Sequence, residues 1–351
     1  MNYIDFSQYS TWTKCQWKWY EKYVREFRLK QDGQTDGAFA VGSLFHAGVE
    51  EFYKHGNPVI PPMVVEEIQP TPECYNNSMA LVLSWIKKSP ALEWGENRIF
   101  EKPIVFDIGR ENIKGLAKLD FAFKLDKGIT IPGGIDGQEV YLNPGWWIRE
   151  YKTRSGDARS RPNWIKSWAC DMQADFQMLA LREYLKEIKD DTPVVGMLVG
   201  VIEKPREYVP KRKCKGCGNQ YEFAVYNVLE SGLYECGWCK YQQELTPPKK
   251  EAGYQGDPLS YYIHVARSDE ALDVSFERIR YVADLMMARR NGDLDSVKYY
   301  GMNYQSCVHP IYGECEFFGA HVSPGYDVVE DSRFVKVESL KYTGVLDESR
   351  S

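Results

Sequence analysis

Two carboxylates and a lysine stand at positions that suit one piece of chemistry. Glu150-Tyr151-Lys152-Thr153 closes a strand-like run that begins at Trp146, and Asp120 lies thirty residues upstream. Strand alternation puts Ile148, Glu150 and Lys152 on one face. Asp120 ends a second alternating run from Ile113, with Ile113, Leu119 and Phe121 expected on the opposite face. Carboxylates from adjacent strands can hold a hard divalent cation against a phosphate, and the Tyr151 backbone carbonyl offers a third oxygen. Lys152, roughly 6.6 Å past Glu150 on the same face, is within reach of an attacking water or the phosphate charge. His46, expected in the first turn of a helix capped by Ser43, would complete the metal shell or orient a phosphate. Gln173 and Gln177, one helical turn apart, would orient the lysine or the substrate. Taken singly, each has a plainer account: a strand-end charge, a surface ion pair worth under about 1 kcal/mol, a packed histidine, solvated glutamines. Together they point to metal-dependent cleavage of a phosphodiester.

The elements that must position these groups can be read from periodicity. Residues 5–29 read as helical and aromatic. Leu44–Lys54 reads as a helix with Phe45, Val49 and Phe52 as its buried stripe. The proline-rich stretch 56–72 reads as a loop, and Asn77–Lys88 as a helix. Strands are expected at 100–106 and 113–125, then a hairpin excursion over 128–145 before the Glu150 strand. Residues 163–188 form the strongest helical pattern, with Ile165, Trp168, Met172, Phe176 and Leu179 on one face. Val194–Ile202 is an unbroken apolar run suited to a central strand. Tyr261–Ala266 reads as a further strand and Ala271–Arg290 as a long helix. This order predicts an α/β core wrapped by helices.

The 351 residues allow one large domain with an insertion, and 43% hydrophobic with 27% charged residues is ordinary for a globular chain. No segment reads as a membrane span or signal peptide, so the cytoplasm of a bacterial or phage-infected cell is the expected location. A net charge of −6 argues against indiscriminate polyanion binding. Most of the ten tryptophans and 24 tyrosines should fill the core, although such rings also stack on unpaired bases.

Cys214-x2-Cys217 and Cys236-x2-Cys239 have the form of a zinc ribbon, four thiolates closing a structural site. The change in composition over 205–255 marks this ribbon as an insertion in a domain made of 1–204 and 256–351. Lys211, Arg212, Lys213 and Lys215 make its start basic, which fits a nucleic-acid backbone or simply a solvated knuckle. Cys74 and Cys170 have no partners by spacing and read as buried apolar residues.

In order and spacing these pieces resemble the PD-(D/E)XK nuclease superfamily, in its RecB-like phage exonuclease and CRISPR-adaptation branch. Residues 9–20 (Tyr9-Ser10 through Cys15 to Tyr20) are similar to the branch's N-terminal Ser…Cys…Tyr helix, although Gln16 replaces a proline. Gly42-Ser43-Leu44-Phe45-His46 resembles the Gly-x-x-x-His segment. Lys118-Leu119-Asp120 and Glu150-Tyr151-Lys152-Thr153 match the metal carboxylate and the (D/E)-x-K-T strand. The 163–188 helix occupies the place of a Gln-x-x-x-Tyr motif. The tyrosine after Gln177 would fall at Leu181, and the one after Gln173 at Gln177, which favours Gln177 without excluding Gln173.

The resemblance implies a mixed central sheet flanked by helices. It also implies Mg²⁺ or Mn²⁺ on Asp120, Glu150 and His46, a DNA substrate (ends or single strands), and a recombination or repair setting with possible protein partners. In that branch one N-terminal and three C-terminal cysteines often hold a [4Fe–4S] cluster. Here Cys15, Cys307 and Cys315 are present and His321 stands where the last cysteine is expected, a set that suits a cluster, zinc, or the remnant of a lost site. A nuclease that trims DNA ends for CRISPR adaptation is the nearest alternative. A non-catalytic zinc-ribbon DNA-binding or assembly module is the alternative from another class.

Overall fold

The computed structural model describes residues 2–29, 37–88, 97–155, 161–204, 206–208, 211–222, 225–246, 253–255, 257–292, 308–309, 313–317 and 327–337. Its centre is a six-stranded sheet: β1 (Asn2–Ile4), β2 (Arg98–Phe106), β3 (Ile113–Leu125), β4 (Gly145–Ser155), β5 (Val194–Lys204) and β6 (Leu259–Ala266). The order is β1-β3-β4-β5-β6, and β2 pairs with the opposite edge of β3. β1–β3 and β4–β5 are parallel and the other pairs antiparallel, so the sheet is mixed, as expected. β5 is apolar from Val194 to Ile202, as suits a central strand covered by helices on both faces, and turns charged only at Glu203 and Lys204.

Each face of the sheet has its own core. On one side α1 (Phe6–Lys14), α4 (Met172–Glu187) and α5 (Asp269–Arg290) bury Trp12, Phe176, Leu179 and Ile279 against Ile148 and Val199. On the other, α2 (Ala38–His55) and α3 (Pro72–Lys88) bury Phe45 and Trp85 against Phe123, Trp147 and Tyr262. The approach is close: a Cβ on Gly200 of β5 would lie 2.6 Å from the Trp85 ring.

Several elements differ from the sequence expectation, each for a local reason. The His46 helix starts at Ala38 behind Gly37 (φ 100°), not at Ser43, because Ala40 and Val41 extend the buried stripe of Leu44 and Phe45. His46 is therefore mid-helix. The 163–188 pattern breaks into a short helix Arg161–Ser167, a 3-10 turn Trp168–Cys170 and α4. Asp171 caps α4 by accepting from the Gln173 amide at 2.8 Å, a local bond that outcompetes one continuous helix. Cys170 is left exposed at that break, not buried. Residues 5–29 end in a π-helical turn, Tyr20–Val24, and a strand, Phe27–Leu29. The 56–72 stretch contains a helix at Pro62–Ile68, where proline fits the first turn, and the next helix starts at Pro72 rather than Asn77.

Two smaller pairings complete the described structure. Phe27–Leu29 pairs antiparallel with Phe334–Lys336, bringing N- and C-terminal segments together. Arg206–Tyr208 pairs with Gly253–Gln255 at the base of the cysteine-rich segment between β5 and β6. Among the described residues, no helix is long and apolar enough to cross a membrane.

Candidate active site

The site is built where the sheet splits. β3 and β4 pair from Leu125↔Gly145 to Phe121↔Arg149 and then part, while β1 takes the far end of the same β3 edge at Ile113–Gly115. Continuing the register would set Asp120 opposite Glu150, so the two carboxylates flank the mouth of a fork. The fork leaves ladder groups without strand partners, and site side chains satisfy them. The Tyr151 amide donates to Asp120 Oδ2 at 3.3 Å, and Gln177 Nε2 donates to the Lys118 carbonyl at 3.3 Å.

At Asp120 the alternation of β3 also reverses. Ile113 and Leu119 face the α1/α4/α5 core, whereas Phe121, Phe123 and Leu125 face the α2/α3 core. Leu119 and Phe121 therefore do not share a face, contrary to strict alternation. Opposite Asp120 in the β2–β3 register lies Glu101, whose backbone is left-handed (φ 42°), an uncommon conformation for such a side chain. Local distortions of this kind re-aim a strand residue.

Helices from both faces reach the fork. From α2, His46 Nδ1 lies 3.2 Å from Asp120 Oδ2. From α4, Gln173 Nε2 donates to Glu150 Oε1 and Gln177 Nε2 to Glu150 Oε2, each at 2.8 Å. Lys152 Nζ also donates to Glu150 Oε1, and its ammonium sits 5.8 Å above the Trp168 ring. Tyr151 anchors the strand by packing its ring against Trp85 and Tyr53 in the α2/α3 core. His46, Asp120, Glu150, Tyr151, Lys152, Gln173 and Gln177 are thus all brought together.

The charges at the fork are coupled. Burial pushes the Glu150 carboxyl up and the Asp120 charge pushes it further, against Lys152 and His46. Burial also opposes the Asp120 charge, but His46, Lys152 and the Tyr151 amide outweigh it and hold Asp120 below its usual range. His46 and Lys152 are held above theirs: burial disfavours both cations, and Asp120 and Glu150 respectively overcome it. The sequence reading missed a third carboxylate. Glu101, its side chain 15% exposed, pairs with Lys118 Nζ, and burial followed by the Asp120 charge pushes it up to about 7. Only the cross-strand register reveals it, since alternation in β2 does not say which residue it will face.

Two further features adjoin the fork. A cavity of about 210 Å³, lined by Asp5, Ser7, Lys118, Phe176, Gln173 and Gln177, opens on the α4 side. Beyond Lys152, buried Glu203 accepts from Arg154, Arg161 and Tyr261, joining β4, β5, β6 and the Arg161 helix.

Cys214, Cys217, Cys236 and Cys239 converge, with all four sulfurs within 4.8 Å of one another. The Asn219 amide, then the Tyr221 hydroxyl, pulls the Cys217 thiol down to about 7. The amides of Cys239 and Trp238 lower Cys236 against its burial. Both knuckles need glycine for close approach: a Cβ on Gly216 would lie 2.4 Å from Tyr241 Cβ, and one on Gly237 2.6 Å from the Val225 carbonyl oxygen. At the chain ends, Cys15 and Cys315 share a small cluster with Trp17, Phe27, Phe317 and Phe334, braced by a 3.0 Å Lys18–Glu316 ion pair. Cys307 and His321 lie outside the described residues.

Comparison with curated proteins finds no match. The family model of the PD-(D/E)XK nuclease superfamily matches residues 5–216, a span that holds α1, the His46 helix, both strands of the fork and the two glutamines. The fork geometry and this match, which covers more than half of the chain, place the protein in the PD-(D/E)XK nuclease superfamily.

Proposed function

We propose that the chain is a deoxyribonuclease that uses Mg²⁺ or Mn²⁺ to hydrolyse phosphodiesters at DNA ends, an exonuclease of phage or bacterial recombination and repair. The observation that carries this reading is the fork itself. Asp120 and Glu150 meet there, and helices from opposite sheet faces supply His46 and the two glutamines. Hard carboxylate oxygens with one imidazole suit Mg²⁺ or Mn²⁺, and the buried Glu150 carboxylate, whose proton affinity the Asp120 charge raises, would gain from a divalent cation. Asp120, Glu150, His46 and the Tyr151 carbonyl would hold it. When bound, the ion neutralises phosphate charge and makes a water acidic enough to attack at neutral pH.

The protein's own groups do the rest. Lys152, kept protonated by Glu150, places positive charge beside the phosphate and orients the water. Gln173 and Gln177 occupy a lone pair on each Glu150 oxygen, which fixes the carboxylate plane. His46 fixes Asp120 in the same way. Structural zinc on Cys214, Cys217, Cys236 and Cys239 fits the compact thiol set and the knuckle amides aimed at sulfur. The proximity of Cys15 and Cys315 is compatible with a metal or cluster tying the chain ends together.

Linear and covalently closed circular DNA of one sequence, incubated with Mg²⁺, test the end-directed reading. Linear DNA should shorten from its termini while the closed circle persists. Equal cutting of both would make the protein an endonuclease.

A further inference from the structure

We propose that the cysteine-rich segment carries a landing site for unpaired DNA, with Trp238 as its base-stacking platform. This deepens the reading of the protein as a DNA nuclease and rests on it for the identity of the polymer.

The first observation is an exposed ring. Trp238, inside the Cys236-Gly237-Trp238-Cys239 knuckle, is 72% exposed, and among the described tryptophans it is the only exposed one. Tryptophan is seldom left in water in this way, because its ring carries so much apolar area. The ring is not loose. It stacks on Tyr221 with centroids 6.2 Å apart and planes 20° from parallel. Tyr221 is anchored in turn, its hydroxyl accepting from Asn219 Nδ2 at 3.2 Å and meeting Cys217 Sγ at 3.6 Å. The knuckle therefore presents one open aromatic face backed by a second ring, a surface suited to receive a flat partner.

The second observation is charge. The chain as a whole is −6, yet residues 211–246 hold five Lys or Arg (Lys211, Arg212, Lys213, Lys215, Lys240) against four Glu (222, 230, 235, 244), a local excess of one positive charge. Four of the five cations fall within 211–215, and Lys211, Lys213 and Lys215 are exposed. The rings and the cations adjoin. Lys240 and the exposed Tyr241 follow the knuckle in sequence, and Tyr241 packs on Gly216, next to Lys215. A stacking face flanked by lysines recognises a polyanion whose bases are available, and that is a single strand. A duplex hides its base faces and offers only phosphates. A protein partner would be expected to match an apolar patch without the run of four cations.

Binding is measured on the full-length, zinc-loaded Glu150→Gln protein, in which no strand is cut, so the result does not depend on cleavage. Fluorescence anisotropy compares a labelled oligothymidylate with a blunt duplex of equal length. Trp238→Ala should weaken oligothymidylate binding roughly 5- to 150-fold, the range expected for loss of one base–aromatic stack, and duplex binding far less. Trp238→Phe should restore most of the affinity. Lys211→Glu with Lys213→Glu should weaken binding and flatten its salt dependence. Zinc content by elemental analysis shows which variants keep the knuckles, and the lysine pair serves if Trp238→Ala loses the metal. Unchanged oligothymidylate binding in a zinc-retaining Trp238→Ala protein would overturn the proposal, and so would equal losses for single strand and duplex. A ribbon that docks a protein instead would leave every binding curve unmoved. Failure of the platform with cleavage intact would leave the nuclease reading standing.

Discussion

Gln177→Leu perturbs the site without touching a proposed metal ligand, and its effect can be worked from the geometry. Leucine nearly preserves the buried volume in α4 but removes the donor that lies 2.8 Å from Glu150 Oε2. A hydrogen bond to a charged group contributes about 1.5–3 kcal/mol, which corresponds to roughly 10- to 150-fold in an equilibrium. Gln173 and Lys152 still donate to the other oxygen, so the effect should fall toward the lower part of that range. The expected loss is then roughly 10- to 100-fold in metal affinity, as for other groups that orient a ligating carboxylate. The sign in pH follows from the same bond. A donor to the ionised form lowers a carboxyl pKa, so its loss raises Glu150, which burial already holds high. Protons then compete better with the cation, and the defect should deepen as pH falls and shrink as it rises. The assay is cleavage rate against Mg²⁺ concentration at several pH values. Half-saturation should move up while the rate at saturating metal recovers to within a few-fold. An unchanged half-saturation point, or a rate loss that no amount of metal restores, would refute the orienting role. Gln173→Leu should act in the same direction but less, because that residue is only half-buried.

Other parts of the structure make separate predictions. Glu203→Gln should destabilise the protein by about 3–5 kcal/mol at neutral pH in urea unfolding, since it leaves the buried Arg154 without this carboxylate. Burial opposes the Glu203 charge, but Arg161, Tyr261 and Arg154 hold its pKa below the unfolded value. Its stabilisation is therefore full above the ordinary glutamate range and lost as pH falls through the folded pKa, so the gap to the variant should close in acid, and a pH-independent gap would contradict this. Gly200→Ala should lower stability by about 1–3 kcal/mol, because its Cβ meets the rigid, buried Trp85 ring at 2.6 Å; a neutral effect in thermal unfolding would show that the ring can move. Gly216→Ala should cost zinc retention through its clash with Tyr241 while leaving the main unfolding transition in place, as read by elemental analysis and calorimetry.

Much of the site was legible because strand alternation and short spacings carry it. Glu150 and Lys152 share a face in any extended run, and the Cys-x2-Cys pairs state their own geometry. What could not be read were events between elements. The fork exists because β1, only three residues long, takes one end of the β3 edge while β4 takes the other, a pairing that leaves no mark in either sequence. The reversal of faces at Asp120 and the approach of Glu101 follow from that register and from one left-handed residue. The Asp171 break was masked because Ile165, Trp168 and Met172 keep helical spacing across it, so the apolar pattern continued while the capping side chain ended the helix. His46 lies 3.2 Å from Asp120, but its mid-helix place in α2 is not legible, since Ala-Phe-Ala-Val before Gly42 gives no visible sign that the helix starts ahead of Ser43.

The most direct test of the central claim is cleavage of end-labelled DNA by the purified protein with and without Mg²⁺, run beside a Glu150→Gln variant whose thermal unfolding matches the parent. The predicted result is cleavage by the parent that requires the metal and is abolished by chelation, with none by the variant at any Mg²⁺ concentration. Parent-like cleavage by well-folded Glu150→Gln, or cleavage that persists without divalent metal, would contradict the assignment of the fork as the active site.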